Sequence, residues 1–169
     1  MDKGRFQMSA DTKKDELIRD LLGARQSVLA AVKHLPPDLH DTVLLGTWDP
    51  KDLLAHLVGW DEANLAAVRD ILDGQLPAIY KYPDDDWQTF NEELVARHRR
   101  DDLAALFVDA ARSHLALIDF LRGLPPEEFE RDRGLRDKRF RVTLAGLLEV
   151  EAREERVHAE QVREFARRG

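Results

Sequence analysis

Residues 48–60 read Trp-Asp-Pro-Lys-Asp-Leu-Leu-Ala-His-Leu-Val-Gly-Trp, and this stretch decides the fold. Asp49 is a residue type that accepts hydrogen bonds from the free amides at a helix start, and Pro50 falls where a missing N–H costs nothing. Leu53, Leu57, Trp60, Leu65, Val68 and Leu72 then recur at helical spacing, and Gly74 supplies a left-handed stop. The pattern predicts a helix over 50–73. Its single apolar stripe has to be covered by other elements.

Working outward, the same periodicity predicts three more long helices. The first covers about 11–34, begins at Ser9 or Asp11, carries Leu17, Leu21, Val28, Ala31 and Val32, and stops at Pro36-Pro37. Another covers 102–122, with Leu103, Phe107, Ala110, His114, Ile118 and Leu121 on one face. The last covers 143–168, with Thr143 as its cap. Its stripe opens with Leu144, Leu147 and Leu148, turns polar at Glu151, Glu154 and His158, and resumes at Val162 and Phe165. Residues 75–100 make an unusually long connection for a bundle, with room for a short helix at 88–98. Its Tyr80, Tyr82 and Trp87 suggest a lid packed over a cavity, with Asp84, Asp85 and Asp86 between them. The expected architecture is an all-α four-helix bundle with a long crossover between the second and third helices. Residues 1–169 form one domain, with 1–10 expected as a flexible tail.

The composition narrows the function. The 169 residues carry 26 Lys+Arg against 33 Asp+Glu, a net charge of −7, which argues against a nucleic-acid partner. Cysteine is absent, so disulfides, thiolate nucleophiles and Cys-based zinc sites are excluded. No run approaches the ~20 apolar residues of a membrane span, and no signal peptide is visible, so a cytoplasmic location is expected. Residues 131–169 carry 11 Lys/Arg against 8 Asp/Glu, net +3, most of it between Arg131 and Arg141. That run reads as a solvated loop, or as a patch for an anionic substrate or partner.

The polar break in the last helix is the candidate site. Glu154 and His158 are four apart and share a face, and His56 lies on a helix that can oppose them. Two imidazoles and one carboxylate suit a divalent ion such as zinc, nickel or iron, with positions left for water and substrate. Without a metal, Glu154 or Glu151 would be a general base and His114 or His158 its proton partner. Trp48 and Trp60 would form the cavity wall beneath Tyr80, Tyr82 and Trp87. Val150 and Leu106, outside the main stripes, would serve a homodimer.

Trp48-Asp49-Pro50 with Leu54-Ala55-His56-Leu57 is similar to the second-helix signature of the DinB-like four-helix bundles. Ala78-Ile79-Tyr80-Lys81-Tyr82, Phe90-Asn91-Glu92-Glu93, Ser113-His114 and Leu124-Pro125-Pro126-Glu127-Glu128-Phe129 resemble the ClbS/DfsB branch. The resemblance covers about 12–166. It implies a divalent metal held by one His on the second helix and a His-x-x-x-His pair on the last. His56 and His158 match that pattern, and Glu154 stands where its remaining His would be. It also implies a small-molecule ligand and a hydrolase or detoxifying activity, or a ligand-sequestering bundle that has lost the metal.

Overall fold

The start of the second helix shows how local chemistry sets the frame in the computed structural model, which describes residues 3–83 and 86–168, with side chains from Asp11 onward. Helix α2 runs Pro50–Leu72. The Asp49 carboxylate accepts from the amides of Lys51 at 2.7 Å and Asp52 at 3.0 Å, while the Asp52 carboxylate accepts from the Asp49 amide at 3.0 Å. This reciprocal box satisfies donors that a helix start otherwise leaves free. Gly74 ends the segment at φ 72°, a conformation without penalty only for glycine.

The described residues form five α-helices, four long ones and a short one in the 75–100 connection, where the sequence has room for a helix at 88–98. Besides α2 these are α1 (Lys3–Lys33), α3 (Trp87–His98), α4 (Leu103–Arg122) and α5 (Leu144–Arg168). Helix α1 begins well before Ser9 and Asp11, which lie inside it, because nothing in the preceding residues breaks a helix. Asp102 caps α4, accepting from Ala104 at 2.9 Å, and Thr143 caps α5, accepting from Gly146 at 3.1 Å. The short helix, α3, lies within the long connection. Arg99 at its end donates to both oxygens of Asp49 at 2.7 and 3.0 Å and to Asp52 at 2.6 Å, fixing α3 to the start of α2. Gly59 permits the two helices to touch, since a Cβ there would fall 2.7 Å from Leu94 Cβ. Met1, Asp2, Asp84, Asp85 and Gly169 lie outside the described residues.

The basic run near residue 131 contains a small antiparallel hairpin, β1 (Arg136–Asp137) and β2 (Phe140–Arg141). Its arginines are engaged locally. Arg131 and Arg133 pair with Glu128, and Arg136 pairs with Asp132 at 2.9 Å. The solvated-loop reading therefore describes this segment better than a free basic patch does.

Helix α1 packs chiefly on α5, and α2 on α4 and α3. The core divides into two apolar clusters. One holds Leu17–Ala24 of α1, Ala67–Ile71 of α2, Leu117–Leu121 of α4 and Leu144–Leu148 of α5, along with Phe129. The other holds Val28 and Val32, Leu53–Leu57, Leu106, and Ala159 with Val162. Leu106 is wholly buried in the second cluster, so it belongs to the core rather than to a dimer face. No described helix is long and apolar enough to cross a membrane.

Candidate functional site

Between the two apolar clusters every long helix turns polar. Arg25 of α1, Asp61 and Asn64 of α2, His114 of α4, and Glu151 and Glu155 of α5 are all buried. Charges in such a place require partners, and Arg25 supplies them. Its Nε donates to Glu155 at 3.0–3.1 Å. Nη1 donates to Asp61 at 2.8 Å and to the Ala110 carbonyl at 2.8 Å. Nη2 donates to Asp61 at 2.9 Å and Glu155 at 2.6 Å. All five guanidinium donors are thereby used. Ser113 donates to Asp61 at 2.5 Å, and the His114 Nδ1 lies 3.3 Å from the other Asp61 oxygen. Burial works to raise the Asp61 pKa, but the Arg25 charge, together with hydrogen bonds from His114 and Arg25, outweighs it and holds the carboxyl below the usual range. For Arg25 burial works downward, and the charges of Asp61 and Glu155 raise the pKa in spite of it.

Beside this layer lies a cavity of about 310 Å³. Trp48, His56 and Trp60 line it from the α2 side, Asn91 from α3, and Val150, Glu151, Glu154, Glu155 and His158 from α5. The rings of His56 and His158 stand edge to face with centroids 5.2 Å apart, and Trp48 lies 4.8 Å from His56. The Trp60 indole N–H donates to Asn91 at 2.9 Å, which holds the wall in place. His158 Nδ1 is 2.9 Å from the Gln161 amide oxygen. Buried His56 Nδ1 has no partner.

Two groups here are displaced from their ordinary protonation. Burial, and then the charges of His158 and Arg25, push the His56 pKa down to about 3, so the imidazole is neutral near pH 7. Burial, and then the Glu155 charge, push Glu151 up to about 8, so its carboxyl holds a proton there. The Asn64 amide stands beside this carboxyl.

His56, His158, Glu154, Trp48 and Trp60, all singled out in the sequence, thus border one cavity. Glu154 is half exposed, and its nearest charged partner is Arg153 at 3.8 Å. His114 belongs to the Asp61 cluster and does not line this cavity. The three aromatics expected as a lid do not line it either. Trp87 stacks behind Trp60 at 5.8 Å, and Tyr82 packs on Phe90 at 4.8 Å while lining a second cavity between α2 and α3. Tyr80 packs against the first apolar cluster, where burial and then Asp137 of the hairpin raise its phenol. Sequence reasoning missed Arg25, Asp61, Asn64 and Glu155. A signal was present, since Arg25 occupies a stripe position between Leu21 and Val28.

Among the described residues one set has ligand atoms close enough together to hold a metal, and it is not the set expected from the sequence. Asp61, His114 and Glu155 have the residue types, with ligand atoms all within 4.8 Å of one another, so this buried group could hold an ion. Arg25 already brings a permanent positive charge onto both of those carboxylates, and an ion would have to displace it. The ligand atoms of His56, Glu154 and His158 do not all converge within 4.8 Å. Their chemistry nonetheless fits: two imidazoles bound to one first-row ion at about 2.0–2.1 Å have ring centroids roughly 5 Å apart, as His56 and His158 do.

A family profile described as the DinB superfamily matches residues 20–162. A crystal structure of a protein from Streptococcus pneumoniae, a structural-genomics target, superposes with a TM-score of 0.72. It is 15% identical, and the match covers 90% of this chain and 89% of that one. No curated protein matches the chain.

Proposed function

Because this chain belongs to the DinB superfamily, we propose that it is an enzyme acting on a small molecule, a hydrolase or related detoxifying activity, with its site in the cavity between α2 and α5. The observation that carries this reading is the pairing of a neutral imidazole, His56, with a protonated carboxyl, Glu151, on the walls of one cavity. Oppositely displaced groups suit complementary proton roles. Glu151 can release a proton to a leaving atom, and the neutral His56 can accept a hydrogen bond from water or a ligand group without taking up charge. Trp48 and Trp60 hold the apolar body of the substrate and exclude water from it. Asn91 fixes Trp60 through the indole hydrogen bond.

In a metal-dependent version of this reading, a divalent ion, zinc, nickel or iron, would be held by His56, His158 and Glu154, taking the His56 imidazole as a ligand in place of its role toward water, and would supply Lewis-acid polarisation and a more acidic bound water. Around it His56 remains neutral, Gln161 orients the His158 ring, and the Arg25 layer fixes the depth of α5. The ClbS/DfsB branch, a four-helix bundle with a long crossover carrying α3, a homodimer and a cytoplasmic location complete the reading. The alternative is a ligand-sequestering bundle without chemistry, favoured by the half-exposed Glu154 in place of a converging third ligand.

The test is a panel of hydrolysable small molecules assayed with metal-replete and chelator-treated protein, beside His56→Asn and Glu151→Gln. Turnover that both variants lose by about 10²-fold or more supports the proton roles. Binding without turnover across the panel favours sequestration.

A further inference from the structure

Besides its histidines and Asn91, the polar lining of the cavity is carboxyl groups alone: Glu151, which holds a proton, Glu155, which is tied to Arg25, and Glu154, and no Lys or Arg borders it among the described residues. The nearest guanidinium, Arg25, lies behind Glu155 with every donor committed to Asp61, Glu155 and the Ala110 carbonyl. Arg153 reaches Glu154 from outside at 3.8 Å, with both side chains more than half exposed. Such a pair is weak. Of the arginines in the 131–141 segment, Arg131 and Arg133 are engaged with Glu128, Arg136 and Arg141 with Asp132, and Arg139 lies over the Phe140 ring.

The other walls point the same way. Trp48 and Trp60 present indole rings, whose faces attract cations as well as flat apolar groups. His56 is nine-tenths buried, lines the cavity and retains a ring nitrogen with no partner. Carboxyl oxygens accept hydrogen bonds, and a protonated amine brings three donors to them. Without a bound metal, an anionic ligand would meet the Glu154 carboxylate and no Lys or Arg side chain in the lining.

We propose that the cavity takes a ligand built from a flat apolar body and a positively charged nitrogen head, and rejects the matching carboxylate. This rests on the reading that the His56 cavity is the functional site, and it adds the class of substrate.

The probes are tryptamine and indole-3-propionate, which share ring and linker and differ in the charge of the head, with 3-methylindole as the neutral reference. Binding is measured calorimetrically at pH 7, on protein as purified and after EDTA. Tryptamine should bind at least about tenfold tighter than indole-3-propionate, the size expected when one charge meets another a few ångströms away near a protein surface. Glu154→Gln should reduce that preference several-fold in the EDTA-treated protein, read as the ratio of tryptamine to indole-3-propionate affinity. Equal or tighter binding of indole-3-propionate in either preparation overturns the proposal, as does failure of both indoles to bind. Cation preference without turnover of any substrate rejects the catalytic reading alone. Turnover together with anion preference rejects the ligand class alone.

Discussion

Replacing Arg25 by Met removes the charge at the centre of the polar layer while retaining most of the apolar stem volume. Asp61 and Glu155, both about 99% buried, would then lose the partner that takes all five of its hydrogen bonds to them and to the Ala110 carbonyl. Removing one member of a buried ion pair costs about 3–5 kcal/mol, because the remaining charge stays buried and uncompensated. Whole domains are stable by only about 5–15 kcal/mol, so the loss is a large fraction of the total. At roughly 2–4 °C per kcal/mol for a chain of this size, the melting temperature should fall by about 6–20 °C. The pH dependence identifies the cause. In the wild type the Asp61 pKa is depressed, so its contribution is present above the ordinary aspartate range and is lost as pH falls through the folded value. In Arg25→Met the guanidinium charge no longer opposes burial, only the contacts from Ser113 and His114 remain, and the Asp61 pKa rises toward proton uptake in the folded state. The deficit should therefore be smaller at pH 4 than at pH 7. Adding Asp61→Asn and Glu155→Gln should recover more than half of it. Urea and thermal melts followed by circular dichroism measure all of this. A deficit below about 1 kcal/mol, or one unchanged between pH 4 and pH 7, would refute an ionic origin for the layer's stability.

Glu151→Gln tests a slope of opposite sign. The wild-type carboxyl has a folded pKa of about 8 against the ordinary 4.5, so stability should fall as pH rises through that interval, and in the variant this slope should vanish in urea melts between pH 5 and 9. Gly59→Ala places a methyl 2.7 Å from Leu94 Cβ, an atom that moves only with the α3 backbone. It should cost about 1–3 kcal/mol in thermal melts and change the tryptophan fluorescence of the Trp60–Asn91 wall. Asp49→Ala removes the α2 cap and two of the three Arg99 hydrogen bonds, leaving the one to Asp52, so the cap loss of about 0.5–2 kcal/mol should appear together with faster hydrogen exchange in α3.

The parts legible in the sequence are those whose causes are local. Asp49, Pro50 and Gly74 announce the bounds of α2 within a few residues of chain, and Thr143 does the same for the start of α5. The helical periods of α4 and α5 likewise follow from nearest turns. His56 and His158 could be assigned to opposing helices because the second-helix signature and the polar break at Glu151, Glu154 and His158 are both local patterns. The hairpin was invisible because each strand has two residues and depends on Gly134 and Lys138 at positive φ rather than on alternation. Tyr80, Tyr82 and Trp87 were recognisable as packing residues, but what they pack on depends on α3 and the hairpin. Arg25 looked like an ordinary helix-surface arginine because its partners are 36 and 130 residues away. Interruptions of the apolar stripes at Arg25, Asp61 and Glu155, one per helix, were the available sign of a shared polar layer.

That layer also bears on how the helices are set lengthwise. Apolar stripes of Leu, Val and Ala can slide past one another by a turn, about 5.4 Å, with similar burial at either setting. A guanidinium fork with fixed angles cannot slide, because one turn of displacement would strand it against leucines. Arg25 thus acts as a vernier mark shared by α1, α2, α4 and α5, setting the axial register that brings His56 level with His158. An all-apolar replacement of the layer would then be a discriminating variant. It would equal or exceed the wild type in stability, yet sample several registers, broadening the histidine resonances of the cavity while the melting temperature rises.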